Sequence, residues 1–387
     1  MFVGKFAKHL SASEAAINAT IFAIATLIVS CPCAIGLAVP MVVVIANGVA
    51  AKHGIILKQP QTIENAKRVT HAVFDKTGTL TEDHMAVVSE QYLEVGLPEE
   101  RVKSLLLSLM TGNNHPVSKA IAAHVEAQIG SATHLAQNVK VVTGKGVEGT
   151  YHALPLQAGN CQWLGLAPSD LKEHLSEDSQ SIFCFRIGEN LAAVFGLSNT
   201  LRPETRTVLD KLRKRNIQIS ILSGDDANAV SSIASQLDVP ISRTRSRYSP
   251  ADKARYIKTI QKADPKATVL FCGDGTNDAV ALKQANIGVH MSEGSDIAQG
   301  AADVVLVRAD LNSIIDLLNI SKAAYRRIIF NFIWSAVYNV SAVLLAGGVA
   351  AEANVRIPPE FAGLGEIVSV LPVIAVAVQL RFVGFGR

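Results

Sequence analysis

The sequence predicts an α/β protein in which a doubly wound parallel sheet is interrupted by an inserted α+β domain and accompanied by transmembrane helices. Three observations predict this fold class. Apolar strands in the middle of the chain end in turns that carry Asp, a stretch of different pattern separates the first of these strands from the next, and the apolar residues, 49% of the total, are concentrated at both ends. The net charge is only +3 and no basic stripe is interleaved with aromatic residues, so nucleic acid is not expected as a partner.

Three apolar segments are long enough to cross a lipid bilayer. Residues 15–51 and 328–351 carry no charge, and residues 361–380 carry only Glu366. About 20 apolar residues span a bilayer, so the first segment has room for a break. Lys and Arg residues follow the first segment, precede the second and follow the third. By the positive-inside rule, the middle of the chain and its C-terminus then lie in the cytoplasm of a multi-pass membrane protein.

Three strands of the middle segment lead into similar polar turns. The apolar residues 71–74 lead into Asp75, residues 217–222 lead into Ser223, and residues 268–272 lead into Gly273 and Asp274. A helix-like segment follows each turn, which is the pattern of a parallel sheet. Ligands of such sheets bind at the carboxyl ends of the strands. We therefore expect Asp75, Ser223 and Asp274 to lie at one edge of the sheet.

Asp75 is the candidate nucleophile at that edge. The residues that follow it, Lys-Thr-Gly-Thr-Leu-Thr, form a turn of small hydrogen-bond donors. A carboxylate attacks a γ-phosphoryl group when the transferred charge is neutralised and held in line. Asp274 and Asp278 are suited to hold Mg²⁺ beside the phosphate. The alternative is an Asp that only caps the turn after a strand.

These motifs resemble those of the P-type ATPases. Residues 75–81 resemble their phosphorylation signature, residues 273–278 their hinge motif, and residues 223–225 their Thr-Gly-Asp motif with Ser in place of Thr. The resemblance covers nearly the whole chain and implies a haloacid-dehalogenase-like phosphorylation domain, an inserted nucleotide-binding domain, and ATP and Mg²⁺ as cofactors. It implies that phosphoryl transfer involves Asp75, Lys76, Thr77, Ser223, Gly224, Asp225 and Lys253. It implies that Mg²⁺ is held by Asp75, Thr77, Asp274 and Asp278.

Two cysteines lie in the first apolar segment as Cys31-Pro32-Cys33. Proline breaks a helix, and two thiolates are soft ligands for Cu(I) and other thiophilic ions. The alternative is a pair of cysteines that pack as small apolar residues, and five cysteines do not suggest a disulfide framework. The pair lies one segment before the phosphorylation motif. This arrangement resembles that of the heavy-metal class of P-type ATPases, above all the copper(I) exporters. The chain looks most like fungal copper and cadmium ATPases.

The resemblance also implies which residues hold the transported ion. They are Cys31, Cys33, Tyr338 and Asn339. The resemblance implies Cu(I) as the first candidate for the ion, with a metallochaperone as its donor. Glu366 departs from the pattern, because copper pumps usually have Met at this position. A carboxylate is a harder ligand than a thioether, so Glu366 widens the choice of ion toward Cd²⁺ or Zn²⁺. Its alternatives are a proton-linked group and a glutamate at the membrane interface.

The inserted segment carries residues that resemble nucleotide contacts of the heavy-metal pumps. They are His115, Pro116, Gly144, Gly146, Gly159 and Asn160. The glycines spell a dinucleotide motif, but no βαβ unit accompanies them, so a Rossmann site is not expected. In the family, this glycine pair lets the nucleotide approach the backbone. Met110 and Asn199 stand where the family usually has Glu and Asp.

The predicted division of the chain follows from these motifs. Residues 1–52 form a membrane segment, residues 53–86 and 197–322 the phosphorylation domain, residues 87–196 the nucleotide-binding domain, and residues 323–387 two C-terminal transmembrane helices. The motif Thr-Gly-Glu, with which such pumps direct water onto the aspartyl-phosphate, does not occur. We therefore expect the C-terminal portion of a pump. Two hypotheses remain: ATP-driven metal transport, and a non-transporting membrane protein that binds nucleotide or metal or associates with an intact pump.

Overall fold

The computed structural model describes residues 12–29, 31, 33–113, 115–142, 145–167, 171, 175, 181–225, 227–274, 276–291, 296–346 and 359–384. Its first sheet has seven strands, in the order β1-β13-β12-β11-β2-β9-β10. They are β1 (Ile55–Leu57), β2 (His71–Asp75), β9 (Gln218–Leu222), β10 (Thr244–Arg245), β11 (Val269–Gly273), β12 (Ile287–Met291) and β13 (Val304–Leu306). All neighbours are parallel except β1 and β13. The predicted parallel sheet is confirmed.

Helices cover both faces of this sheet. They are α3 (Gln61–Lys67), α6 (Thr205–Arg213), α7 (Ala227–Gln236), α8 (Pro250–Ala263), α9 (Ala279–Gln284) and α10 (Asp296–Ala301). Successive residues of β2 point to opposite faces. Phe74 packs in one core with Leu209 of α6, whereas Val73 packs in the other with Ile257 of α8. The sheet is therefore doubly wound, because both faces of its central strands are apolar and buried.

A second sheet of six antiparallel strands interrupts the first. Its order is β3-β8-β7-β6-β5-β4. The strands are β3 (Thr81–Tyr92), β4 (Gln137–Val142), β5 (Gly146–Tyr151), β6 (Leu154–Asn160), β7 (Ser181–Ile187) and β8 (Asn190–Leu201). Two helices, α4 (Glu99–Met110) and α5 (Pro116–Ile129), pack on it around a core of their own. Residues 87 and 197, at which the sequence divided the domains, lie inside β3 and β8, so that division stays a proposal.

A break at Gly112 separates helices α4 and α5. Gly112 has a φ of +87°, which falls in the left-handed region and interrupts a right-handed helix. Pro116 then stands in the first turn of the second helix, where its missing N–H has no intrahelical partner to lose.

Four long helices accompany the two sheets. They are α1 (Ala12–Val29), α2 (Cys33–Lys52), α11 (Asn312–Ala346) and α12 (Pro359–Val378). Among the described residues, three stretches are long and apolar enough to cross a membrane: Cys33–Lys52, Asn312–Ala346 and Leu364–Phe382. The first apolar segment, residues 15–51, thus falls in two helices, α1 and α2. This agrees with the expectation that the segment is long enough to contain a break.

Helix α11 packs against both the apolar helices and the first sheet. It has 35 residues and is about 52 Å long at 1.5 Å per residue. Its first half, with Leu317 and Ile320, is buried in the same core as Phe74. Asp316 on α11 also accepts from the ring of His53, just beyond α2, at 3.2 Å. The sheet and the apolar helices therefore share one continuous core.

Candidate functional site

Three carboxylates meet at the carboxyl edge of the first sheet. Asp75 ends β2, Asp274 follows β11, and Asp278 lies in the short turn before α9. One oxygen of each lies within 4.8 Å of the others. Asp75 is 6% exposed and Asp278 is 1% exposed. Gly273 makes room for this arrangement, because a Cβ there would lie 2.4 Å from Asp278 Oδ2.

Lys253 is the cation that faces this cluster. It lies in the first turn of α8, and its Nζ donates to Asp75 Oδ1 at 2.6 Å and to Asp278 Oδ1 at 2.7 Å. Ser249 and Asp252 form a capping box at the start of the same helix, which fixes the position from which Lys253 extends.

The cluster carries more negative than positive charge. Burial, together with the neighbouring Asp278, raises the pKa of Asp75 to about 7, although Lys253 opposes the shift. Burial alone would lower the pKa of Lys253, but the attraction of Asp75 and Asp278 outweighs it and raises that pKa. Oxygen ligands with excess negative charge are what Mg²⁺ prefers, so these residues fit a magnesium ion.

A second ion pair lies beside the carboxylates. Lys76, only 1% exposed, pairs with the carboxylate of Asp225. Thr77 Oγ1 also donates to Asp225 Oδ2 at 3.1 Å, and the amide of Asp225 donates to Ser223 Oγ at 3.1 Å. Burial alone would raise the pKa of Asp225, but Lys76 and Thr77 lower it. Lys76 therefore stabilises the Ser223-Gly224-Asp225 turn.

A cleft of about 280 Å³ opens over these groups. Its lining comprises Asp75, Thr77, Ser223, Gly224, Asp225, Tyr248, Pro250, Lys253, Asp274, Asn277 and Asp278. The structure thus brings together the residues that the sequence assigned to phosphoryl transfer and to Mg²⁺, with Lys76 just behind them. Tyr248 was not expected there, and Asn277, which belongs to the hinge motif, had been given no role of its own.

Arg202 is a further residue that sequence reasoning missed. Its guanidinium donates to three backbone carbonyls: Gly78 O at 2.9 Å, Thr79 O at 3.0 Å and Ala309 O at 3.0 Å. It therefore holds the turn after Asp75 from behind, and Gly78 adopts a φ of +71° within that turn. The sequence signal was an Arg-Pro pair directly after β8.

The predicted nucleotide contacts lie in the second sheet and its helices. The ring of His115 caps α5 by accepting from the amide of Val117 at 3.3 Å, and Pro116 begins that helix. Gly146 and Gly159 are paired across β5 and β6, and Asn160 ends β6 with its Oδ1 accepting from Trp163 N at 2.7 Å. Gly144 lies outside the described residues.

Strand packing alone accounts for the two paired glycines. A Cβ on Gly146 would lie 2.2 Å from Ala158 O, and one on Gly159 would lie 2.3 Å from Lys145 O. Both glycines are therefore required by the close approach of neighbouring backbone, whatever else approaches them.

The two cysteines of the first apolar segment meet a carboxylate from α12. Cys31 Sγ, Cys33 Sγ and an oxygen of Glu366 lie within 4.8 Å of one another. Cys31 and Cys33 are joined by a disulfide, whereas the sequence predicted free thiolates. The structure therefore differs from the expected free thiol pair at this position. A role as metal ligands would require the reduced thiolates, and it stays a prediction.

The two polar residues predicted from α11 differ in their surroundings. The hydroxyl of Tyr338 donates to Gly365 O at 2.5 Å. Asn339 is the next residue and is half-buried. The role of both as ligands stays a prediction.

Comparisons with known proteins agree with this architecture. The sequence model of the haloacid dehalogenase-like hydrolases matches residues 69–286. The Copper-transporting ATPase HMA5 of Oryza sativa subsp. japonica is 30% identical over 375 residues, which are 93% of this chain and 37% of that protein. The Copper-exporting P-type ATPase B of Archaeoglobus fulgidus is 31% identical over 363 residues, which are 93% of this chain and 51% of that protein. The chain thus spans about half or less of the length of these relatives.

Solved structures give the same result. A zinc-transporting PIB-type ATPase in its E2.Pi state superposes with a TM-score of 0.78 and 25% identity, over 91% of this chain and 56% of that one. The catalytic domain of the CPx-ATPase CopB-B superposes with a TM-score of 0.55 and 27% identity, over 70% of this chain and 98% of that domain. The chain therefore belongs to the haloacid dehalogenase-like hydrolases. Within that family it falls among the P-type ATPases of the heavy-metal class, as its motifs predicted.

Proposed function

We propose that this chain transfers the γ-phosphoryl group of ATP to Asp75 and that the phosphorylated state drives a thiophilic metal ion, in the first place Cu(I), across a membrane. The observation that carries the proposal is the buried contact of Asp75 with Lys253, beside two further carboxylates at the edge of a cleft. A strand-end Asp that only caps a turn has no need of such surroundings.

Each residue of the cleft has a separate role in phosphoryl transfer. An oxygen of Asp75 attacks the γ-phosphorus, the bond from that phosphorus to the β–γ bridging oxygen breaks, and ADP leaves with the electron pair. Lys253 and the hydroxyls of Thr77 and Ser223 offset the charge of the transferred group. Asp274 and Asp278, with Asp75 and Thr77, would hold Mg²⁺, which supplies charge neutralisation at the phosphate oxygens. Lys76 and Asp225 keep the two turns that carry these groups together.

The second sheet would present the nucleotide, through His115, Pro116, Gly144, Gly146, Gly159 and Asn160.

The ion would bind Cys31 and Cys33 in the membrane, with Tyr338 and Asn339 nearby, after delivery by a metallochaperone. The sheets would face the cytoplasm, as the flanking Lys and Arg residues indicate. The copper-named relatives favour Cu(I). The second candidate is a membrane protein that binds nucleotide or metal without turnover.

Labelling with [γ-³²P]ATP tests the proposal. The purified chain with Mg²⁺ should give an acid-stable, hydroxylamine-sensitive phosphoenzyme, and Asp75→Asn should abolish it. Asp210→Asn changes an exposed carboxylate on α6 and is the matched control, which should label like the unmodified chain. If folded chain fails to label, the enzymatic proposal is wrong and the non-transporting alternative is favoured.

A further inference from the structure

Two buried cysteines of the second sheet lie in contact with each other. Cys161 directly follows β6, Cys184 lies in β7, and their Sγ atoms are 3.5 Å apart. Gly159 is paired with Cys184 across the two strands, so Cys161, two residues further along, projects to the same face of the sheet. Both cysteines are free thiols. Burial, together with the neighbouring Cys161, raises the pKa of the Cys184 thiol. Two thiols are therefore held within reach of each other on one face of this sheet.

The surroundings of the pair favour a disulfide over a bound metal ion. The two thiols belong to an apolar cluster with Leu164, Leu171 and Val194. A monovalent ion held by two thiolates would leave a negative charge in this cluster, and a buried charge without a partner is costly. Zn²⁺ usually takes four ligands, of which the described residues of the cluster supply two. A disulfide is neutral and needs no further partner.

The turn that begins at Cys161 places Trp163 on Gly159. Cys161 O accepts from Leu166 N at 2.9 Å, and Asn160 Oδ1 accepts from Trp163 N at 2.7 Å. A Cβ on Gly159 would lie 2.7 Å from Trp163 Cε3, so the indole ring lies directly on the backbone of this glycine. Cys161 therefore belongs to the same turn as residues that were assigned to the nucleotide.

We propose that Cys161 and Cys184 form a redox modification site. A low-molecular-weight disulfide such as oxidised glutathione converts the two thiols into an intramolecular disulfide, and this bond weakens nucleotide binding because it displaces the turn that carries Trp163. The effect on the nucleotide rests on the proposed function, whereas the bond between the two cysteines does not.

The reaction consists of two thiol–disulfide exchanges. The sulfur of Cys161, which is 5% exposed, attacks one sulfur of oxidised glutathione, and the first glutathione leaves with the proton of Cys161. The sulfur of Cys184 then attacks the sulfur of Cys161, and the second glutathione leaves with the proton of Cys184. Two protein thiols are thereby oxidised to one disulfide, and one oxidised glutathione is reduced to two thiols.

The bond requires a movement that the fold permits at Cys161 and resists at Cys184. A disulfide has an S–S length of about 2.05 Å, so the two sulfur atoms must approach each other by about 1.5 Å. Cys184 is held by hydrogen-bonded strands on both sides, β6 and β8, whereas Cys161 lies in a turn. The turn therefore moves toward β7 and changes the contact of Trp163 with Gly159. Disulfides that form transiently and sense redox conditions are the kind found in the cytoplasm, where this sheet is proposed to lie.

Mapping of the bond tests the site. The full chain in detergent is incubated with oxidised glutathione without ATP, free thiols are alkylated, and the unreduced peptides are analysed by mass spectrometry. We expect a cross-link between Cys161 and Cys184 that dithiothreitol removes, and Cys184→Ala should abolish it. The matched control is Cys272→Ala, which removes a buried cysteine from β11 and should keep the cross-link. Glutathione on Cys161 without a cross-link to Cys184 in the unmodified chain, or no reaction at either cysteine, would overturn the proposal.

ATP binding separates the bond from its consequence. The affinity for ATP, measured by calorimetry, should fall at least about fivefold when the chain is cross-linked, and dithiothreitol should restore it. The same oxidant should leave the ATP affinity of Cys184→Ala unchanged, because no cross-link forms. Equal affinities of the reduced and cross-linked chains would refute the effect on the nucleotide. If the reduced chain binds no ATP, that effect and the proposed function both fail, whereas the mapped bond depends on neither.

Discussion

The ammonium of Lys253 donates to Asp75 Oδ1 at 2.6 Å in the interior of the protein, where neither side chain is more than 8% exposed. The same ammonium reaches Asp278. One lysine therefore compensates two buried carboxylates, and Asp274 adds a third close by. The attraction between buried charges barely offsets the cost of desolvating them. Removal of one partner therefore leaves a buried charge uncompensated.

Removing the ammonium should be strongly destabilising. Lys253→Met keeps most of the side-chain volume but leaves Asp75 and Asp278 buried without a cation, which costs about 3–5 kcal/mol. We expect a lower midpoint of thermal unfolding for the full chain in detergent with EDTA. Lys258→Met removes an exposed lysine from the same helix and should leave the midpoint within about 1 °C of the unmodified chain. Equal midpoints for the two variants would show that Asp75 and Asp278 are not charged together.

The stability of the Mg²⁺-free chain should depend on pH through Asp75. Its pKa is about 7 in the folded state and 3.8 as the ordinary value, so between roughly pH 4 and pH 7 the folded state binds more protons than the unfolded state. The free energy of unfolding should therefore fall as pH rises through this window. Asp75→Asn should show a shallower fall, and so should the unmodified chain with saturating Mg²⁺, since the metal displaces the proton. A free energy of unfolding that rises over this range in a manner dependent on Asp75 would contradict the raised pKa.

The meeting of Asp75, Asp274 and Ser223 at one edge was predictable because the carboxyl ends of parallel strands coincide, and each residue follows an apolar strand. Arg202 was not predictable in the same way. It belongs to the opposite end of the inserted segment and reaches the turn after Asp75 because β3 pairs with β8, which places Thr81 opposite Leu201. The contact of Tyr338 with Gly365 depends on how two helices are rotated against each other. Apolar composition indicates that helices exist, but it does not fix their rotation.

Arg202 should control the geometry of the turn that follows Asp75. Its three donors bind the carbonyls of Gly78, Thr79 and Ala309 in a fixed fork, which the single ammonium of a lysine does not reproduce. Arg202→Lys keeps the charge, yet we expect the initial rate of Asp75 labelling to fall at least about tenfold, which corresponds to about 1.4 kcal/mol. The matched control is Arg206→Lys, because the side chain of Arg206 is exposed on α6. This variant should label normally. Similar rates in both variants would mean that charge alone is needed at residue 202.

Gly146 and Gly159 should be required for folding of the second sheet before any nucleotide binds. A methyl group at residue 146 or 159 would meet backbone carbonyl oxygen closer than 2.5 Å, and backbone does not yield as a flexible side chain would. We expect Gly146→Ala and Gly159→Ala each to lower the free energy of unfolding by about 1–3 kcal/mol without ATP. Gly48→Ala is the matched control, because a Cβ there meets nothing within 4 Å and a helical alanine is at least as stable as glycine. If Gly146→Ala unfolds like the unmodified chain but loses ATP binding, the glycine serves the approach of the nucleotide, as the family resemblance implied, and not the packing of β5 on β6.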